Sequence, residues 1–324
     1  MKMIRIFALL LACLIPTVSA MAADWPNKPV KLIVPFPPGG GTDVTARVLA
    51  KSLEKVWKQS VIVENRAGGS GIPALHHVLS QPVDGHTILY MHSVYTGSMA
   101  FAEAGRGAPL TYSYKDFVPV TQLYSMDMAV FARADAPFNT IQEVREYARK
   151  NPTKMNVGSP GVGTTSHLFW VKLENEAGFS TTHIPFKGTS QVITELVGGR
   201  LDLAVDTFAS YAAQIAGGKV KVIASLGQDR TFRGRNHSLA SEIAPGFNAT
   251  TFQGFVVAPG TPRSIIDRMR AGAKEAMKDP EVLKFFDESS LHVVGNTPEQ
   301  FDRFMQKQIR DWAKVIRDNN IQKD

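Results

Sequence analysis

The stretch that decides the fold runs from Lys31 to Asp43, K-L-I-V-P-F-P-P-G-G-G-T-D. An apolar run rich in β-branched residues, Leu32-Ile33-Val34, leads through prolines to Gly39, Gly40 and Gly41 and then into a helix-like segment. Glycine gives up backbone entropy and packs no side chain, so three in succession suit a place where the backbone itself approaches something closely. The first turn of a helix carries unpaired N–H groups and the positive end of the macrodipole, which makes an anion the matching ligand. Glycine-rich strand-to-helix turns also occur with no ligand, and this stretch alone leaves both readings open.

Outward from it, strand-like and helix-like segments alternate, the pattern of βα units, mainly parallel sheets and an α/β fold class. Val30 to Phe36 reads as a strand and Val44 to Trp57 as a helix, with Val44, Val48, Leu49, Leu53 and Val56 on one face. Strands follow at Ser60 to Glu64, Thr87 to His92 and Met128 to Arg133, with a helix at Ile141 to Arg149. A strand from Met155 to Ser159 then enters G-S-P-G-V-G-T-T-S-H-L, where Gly158, Gly161 and Gly163 precede Thr164 and Thr165 at a helix start. This second strand–glycine loop–threonine–helix module repeats the first. In open α/β sheets ligands sit beyond the carboxyl ends of strands, so two such loops on two lobes could close on one anion. Near the C-terminus Thr261-Pro262 and Thr297-Pro298 each open a helix, and Gln300 completes a capping box with Thr297. Phe301, Phe304, Met305, Ile309, Trp312 and Ile316 recur at helical spacing and read as core.

Residues 1–22 read as a secretory signal peptide. Lys2 and Arg5 are followed by an apolar stretch from Ile6 to Ile15 and by Val18-Ser19-Ala20 or Ala20-Met21-Ala22 as a small-x-small cleavage site, too short to span a bilayer. The remainder, roughly 300 residues, is long for one core and comfortable for two lobes. The chain's single cysteine, Cys13, lies inside the signal, so the expected product is periplasmic and free of cysteine. A competing reading takes Leu10-Leu11-Ala12-Cys13 as a lipoprotein box that leaves Cys13 lipidated; against it, Leu14 and Ile15 continue the apolar core. Against 29 acidic residues, loss of Lys2 and Arg5 from the 36 basic ones lowers the net charge from +7 to +5. Arg230, Arg233 and Arg235 form the densest basic cluster and read as a solvated loop; no aromatic-interleaved basic stripe accompanies them, so no nucleic-acid partner is expected.

Several chemistries are missing. Gly39-Gly40-Gly41-Thr42-Asp43 has no P-loop lysine, Gly161-x-Gly163 has Ser166 where a third glycine belongs, and there is no G-x-S-x-G elbow. His76, His77, His86, His92, His167 and His183 do not fall at metal-ligand spacings. No catalytic residue, metal or cofactor is therefore expected. An enzyme using a helix terminus as an anion hole stays the weakest class, because no nucleophile–base pair is visible.

V-P-F-P-P-G-G-G-T-D, V-E-N-R-A-G-G-S-G, D-G-H-T-I-L, G-S-P-G-V-G-T-T-S-H-L, I-P-F-K-G, L-V-G-G-R-L-D-L-A-V-D and F-V-V-A-P-G-T-P follow one another along almost the whole mature chain. In this order they resemble the Bug-type extracytoplasmic solute receptors, the substrate-binding component of tripartite tricarboxylate transporters. The resemblance implies a type II periplasmic-binding-protein fold, two α/β lobes joined by crossover strands with a ligand cleft between them. Lobe I would comprise 23–124 and 249–324, and lobe II 125–248. It also implies a ligand carboxylate held largely by backbone N–H groups and water. Pro38, Gly39, Gly40, Thr42 and Asp43 would come from the first loop, and Ser159, Gly163, Thr164, Thr165 and His167 from the second. Lys187, Gly188 and Asp206 lie where the family places further cleft residues.

Other roles are open to each residue. Thr42 and Thr164 fit plain N-caps, Asp43 fits electrostatic support of a helix start, and His167 fits a packed first-turn histidine. Asp206 would meet an ammonium group in an amino-acid receptor and serve as a cap or wall residue for a purely anionic ligand. The chain departs from the family at Phe169 and Trp170, and at Thr207 to Tyr211, which includes Phe208; Met91 to Thr96 adds His92 and Tyr95. These aromatics either pack behind the loops or line the cleft as flat walls for an aromatic acid. The expected function is capture of a small carboxylate, whether a di- or tricarboxylate, an aromatic acid or an amino acid. A monomeric receptor would deliver it to membrane transporter subunits. A sensor that shows its closed form to a signalling protein needs the same features.

Overall fold

The computed structural model describes residues 25–68, 71–228, 231–232 and 235–322. The expected signal peptide with Cys13, and Arg230 and Arg233 of the basic cluster, lie outside the described residues. The chain begins with β1 (Val30–Val34), α1 (Gly41–Trp57), β2 (Val61–Asn65), α2 (Ile72–Leu79), β3 (Thr87–His92) and α3 (Ser93–Glu103). β1 lies between β2 and β3 and is parallel to both, with Val30 beside Val61 and Lys31 beside Thr87. β4 (Val118–Arg133) follows, then α4 (Ile141–Lys150), β5 (Asn156–Ser159), α5 (Thr165–Ala177) and β6 (Thr182–Pro185). Next come α6 (Thr189–Val197), β7 (Leu203–Thr207), α7 (Phe208–Ala216), β8 (Val220–Ser225), the short hairpin β9 (Thr231–Phe232) and β10 (Arg235–Asn236), and β11 (Ser238–Leu239). β12 (Thr250–Val257), α8 (Arg263–Ala276), α9 (Pro280–Glu288), β13 (Leu291–Val293) and α10 (Pro298–Asp318) complete it.

β4 joins the two halves of the sheet. Its first part pairs antiparallel with β12, from Val118 beside Val257 to Asp127 beside Thr250, and β12 continues antiparallel onto β3. Its second part lies between β7 and β8, with Met128 beside Thr207 and Ala129 beside Ser225. Beyond β7 lie β5 and β6, parallel to it, so strand order runs β2-β1-β3-β12-β4-β7-β5-β6. The sequence reading found only Met128 to Arg133 of this strand. Its first half carries Thr121, Gln122 and Ser125, which blur an apolar run. Thr121 and Gln122 are buried all the same, because Asn296 takes up their polarity: its O accepts from Thr121 Oγ1 at 2.9 Å and its Oδ1 from Gln122 N at 2.9 Å.

Two other expectations need correction. The buried face of α1 is formed by Ala46, Leu49, Ala50, Leu53 and Trp57, whereas Val44 is 40% exposed. At α8 the hydroxyl of Thr261 turns back to Ala258 O (2.9 Å), and the helix starts at Arg263 without a side-chain cap. The Thr297–Gln300 capping box forms as expected. α10 buries Phe301, Met305, Ile309, Trp312 and Ile316 in a cluster shared with α3 (Met99, Phe101) and α5 (Phe169, Trp170).

Gly254 in β12 leaves no room for a methyl group: a Cβ there would sit 2.6 Å from the Phe301 ring and 2.7 Å from Thr121 O. Gly254→Ala is expected to destabilise by about 1–3 kcal/mol or more in denaturant titrations, as overpacking does. Gly97→Ala, where a Cβ meets nothing within 4 Å, is expected to leave stability unchanged or raise it by up to ~1 kcal/mol.

Candidate functional site

The first glycine loop is held by a carboxylate that reaches back from the third residue of the helix that follows it. Asp43 is buried, and its Oδ2 accepts from Gly39 N (2.9 Å) and Arg47 Nε (3.0 Å), its Oδ1 from Asn65 Nδ2 (2.8 Å). Burial pushes its pKa up, but the Arg47, Gly39 and Asn65 hydrogen bonds outweigh this and hold it below the usual carboxylate range. α1 begins at Gly41 with Gly40 as N-cap and no side-chain cap. Helix geometry therefore leaves the N–H groups of Gly41, Thr42 and Asp43 without acceptors inside the helix. Thr42 is not the cap; its Oγ1 accepts from Gln253 Nε2 at 3.0 Å. Pro38, Gly39, Gly40 and Gly41 are exposed.

The second loop is built on a pair of histidines. The His167 and His183 rings stack at 3.8 Å, inclined by 7°. His167 Nδ1 accepts from Gly163 N (3.1 Å), and Ser159 Oγ lies 2.6 Å from His183 Nε2. Thr164 caps α5, as its position suggests, and donates to Gly161 O at 2.8 Å. Gly163 has its N–H committed to His167, which leaves those of Thr165 and Ser166 as the free donors of this helix start. Gly161 and Gly163, with φ of 146° and 73°, make the turn possible.

A cavity of about 240 Å³ lies against this second loop, lined by Val162, Gly163, Thr164 and Thr165 together with Leu168 and Phe169. Ser93, Val94, Thr96, Gly97 and Ser98 at the start of α3 also line it, joined by His92 and by Phe36 of the first loop, whereas Tyr95 is buried and donates to Gly71 O. Thr250 and, from α10, Gln308 and Trp312 close it. Of the expected site residues, the structure gathers Gly163, Thr164 and Thr165 here. Ser159 and His167 support the loop from behind, and Pro38 to Thr42 do not line this cavity. Sequence reasoning missed Gln253, Asn65 and His183 as loop supports, whereas the Met91 to Thr96 segment it singled out does reach the cavity, through His92 and the α3 start rather than through Tyr95. The polar Gln253 inside the apolar run F-Q-G-F-V-V was the available signal.

Lys187 is exposed and Gly188, at φ 136°, opens α6. Asp206 is buried and fully engaged: Oδ2 accepts from Thr189 Oγ1 (2.7 Å), Oδ1 from Thr207 N (2.7 Å) and Ser210 Oγ (3.1 Å). Burial raises its pKa against the pull of these three donors. It therefore ties the starts of α6 and α7 together. Phe208 and Tyr211 pack on Phe131, the latter stacked at 4.1 Å, and Trp170 donates to Thr181 Oγ1 at 2.9 Å. Of these four departures only Phe169 reaches the cavity. Among the described residues there is no cluster of three or more metal-binding side chains, and no helix long and apolar enough to cross a membrane.

Residues 45–321 match the family model of the tripartite tricarboxylate transporter family receptor. The chain belongs to this family. A protein from the tcbD–tcbE intergenic region of Pseudomonas sp. (strain P51) is 32% identical over 294 residues, covering 90% of this chain and 86% of its own. The solved periplasmic binding protein BugD is 29% identical with a TM-score of 0.74, covering 93% of this chain and 100% of its own. MatC from Rhodopseudomonas palustris, solved with bound malate, is 26% identical with a TM-score of 0.73, covering 90% and 100%. The family is one of periplasmic solute-binding receptors rather than enzymes, and the receptor shares their periplasmic-binding-protein fold.

The buried histidines give this receptor an acid-sensitive loop. Burial, with His183 adding to it, brings the His167 pKa down to about 3, and burial brings His183 and His92 down to about 4. An unfolded chain takes up these protons as pH falls below about 6.5, whereas the folded one stays neutral until about 4, so this contribution to stability is lost across that window. Glu174, raised to about 7 by burial, works in the opposite sense. The contrast with a variant isolates the histidine term. On acidification from pH 7 to 4.5, His167→Gln should lose less thermal stability than the wild type; an equal or larger loss would show that His167 is not a source of acid sensitivity.

Proposed function

We propose that this receptor captures a small organic carboxylate between its two glycine loops and hands it to the membrane subunits of a tripartite transporter. In this reading lobe I comprises 23–124 with 249–324, lobe II comprises 125–248, and the protein works as a periplasmic monomer once a signal peptide is removed. One observation carries it. Asp43, the third residue of α1, reaches back to Gly39 N and across to Arg47 and Asn65, and the N–H groups of Gly41, Thr42 and Asp43 are left for an outside acceptor. Thr165 and Ser166 offer the matching pair at α5. A carboxylate suits both helix starts in charge and in hydrogen bonding. Pro38, Gly39 and Gly40 shape the first approach and Gly163 and Thr164 the second. Ser159, His167, Lys187, Gly188 and Asp206 hold the surrounding turns in place. The malate bound to MatC supports the ligand class.

The test is a substitution at the bare helix start. Gly40 has φ −77°, and a Cβ there meets only Pro37 O at 3.8 Å, so the fold accepts a larger residue. Ligand that co-purifies with the protein would be identified by mass spectrometry and titrated by calorimetry. Gly40→Val should weaken its binding at least tenfold with an unchanged circular dichroism spectrum. Thr165→Ala should cost on the order of 1–3 kcal/mol if its hydroxyl donates to the carboxylate. Wild-type affinity in a folded Gly40→Val protein would remove the first loop from the site.

A further inference from the structure

Resting on the carboxylate reading, we infer that the ligand is a monocarboxylic acid with a flat or cyclic apolar body, rather than a di- or tricarboxylate. Among the described residues, the 240 Å³ cavity beside the second loop is lined by no lysine, arginine, aspartate or glutamate. Its single titratable lining residue is His92, whose Nδ1 accepts from Val94 N (3.1 Å). Burial keeps that imidazole neutral, with its pKa down at about 4. Positive charge comes instead from backbone. α3 and α5 begin on the cavity wall, and α1 begins at the end of the loop that contributes Phe36. Each helix start is worth roughly half a positive charge, and that of α1 is exposed and screened by solvent. Together they balance about one carboxylate.

The rest of the wall suits a hydrocarbon. Phe36, Val94, Val162, Leu168, Phe169 and Trp312 line it, with the Phe169 and Trp312 rings 4.7 Å apart and Phe36 edge-on to His92 at 4.8 Å. Its polar side chains are hydroxyls, one amide and that neutral imidazole. Thr164, Thr96 and Gln308 are engaged, with Gly161 O, Ser93 O and Trp312 Nε1 respectively. Ser98 Oγ is buried on the wall with no partner in hydrogen-bond geometry, although the Tyr112 phenol is close enough to feel it. A second carboxylate would lose its water against Leu168, Phe169 and Trp312, where the Trp312 N–H is already given to Gln308 and no described lining residue is a cation. At about 240 Å³ the cavity lies below the usual range of ligand sites, which limits it to a ligand no larger than a single ring bearing an acid group.

The experiment titrates the mature, full-length receptor with benzoate, cyclohexanecarboxylate, malate and citrate by calorimetry. Benzoate or cyclohexanecarboxylate should bind at least tenfold more tightly than malate and citrate, and methyl benzoate should not bind. Benzoate should also change tryptophan fluorescence in the wild type and much less in Trp312→Phe. Val162→Arg, which places a cation on a wall position that is 39% exposed and so spares the core, should move the preference toward malate by tenfold or more. Tighter binding of malate or citrate by the wild type overturns this inference and leaves the carboxylate reading standing. Binding of methyl benzoate as tight as benzoate, or of no acid at all, overturns both. An unaltered preference in Val162→Arg would show that wall charge does not set the ligand class.

Discussion

The backbone of β4 is hydrogen-bonded into both halves of the sheet, and the rest of the structure depends on this sharing. Residues up to Asp127 pair with β12, and residues from Met128 onward pair with β7 and β8. Each half therefore inherits its orientation from one continuous strand. β1 and β5 lie on opposite sides of β4, and the two glycine loops follow their carboxyl ends. A change in angle between the halves must be absorbed at the junction. The ladder already carries irregularities there, between Gln253 and Gly254 in β12 and between Val130 and Phe131 in β4. Gln253 sits at this junction and connects it to the first loop: Tyr124 donates to its Oε1, and its Nε2 donates to Thr42. Tyr90 continues the chain at 3.2 Å from Tyr124.

Both loops divide labour in the same way. Side chains hold the loop, and the first N–H groups of the following helix are left without an acceptor inside it. Asp43 does the holding in the first loop with a charged group, compensated by Arg47 and Asn65. His167 and His183 do it in the second with neutral rings, which adds no charge beside the site. The Asp43 charge is matched by Arg47 and by the donors Gly39 N and Asn65 Nδ2, which makes it compatible with the anion position proposed above.

α10 joins core and site. It was legible as an amphipathic helix, and its capping box and buried stripe are as the 3.6-residue period requires. Its packing between α3 and α5 also brings one edge of Trp312, otherwise a core residue, into the cavity wall. The same side chain thus stabilises the contact between the two halves and shapes the site. Substitutions that test one role must be read for the other.

Hydrophobic periodicity, glycine and proline placement and capping residues are local signals, and they were enough to establish the alternating α/β order, both glycine loops and the Thr164 and Thr297 caps. The family resemblance rested separately on seven motifs met in order along the chain. They failed where burial is set by partners distant in sequence. The first half of β4 was hidden because Thr121 and Gln122 look exposed until Asn296, more than 170 residues away, accepts their hydrogen bonds. Val44 was placed on the wrong face because the helix phase is set by contact with α8 and the sheet. The commitment of the Gly163 N–H to His167, the stacking of His183 and the α3 wall also came from tertiary contact. The sequence alone determined which helix starts could receive an anion. Only the folded chain decided which of their donors stay free and what chemistry surrounds them, because hydrogen-bond satisfaction and desolvation are properties of neighbours in space rather than along the chain.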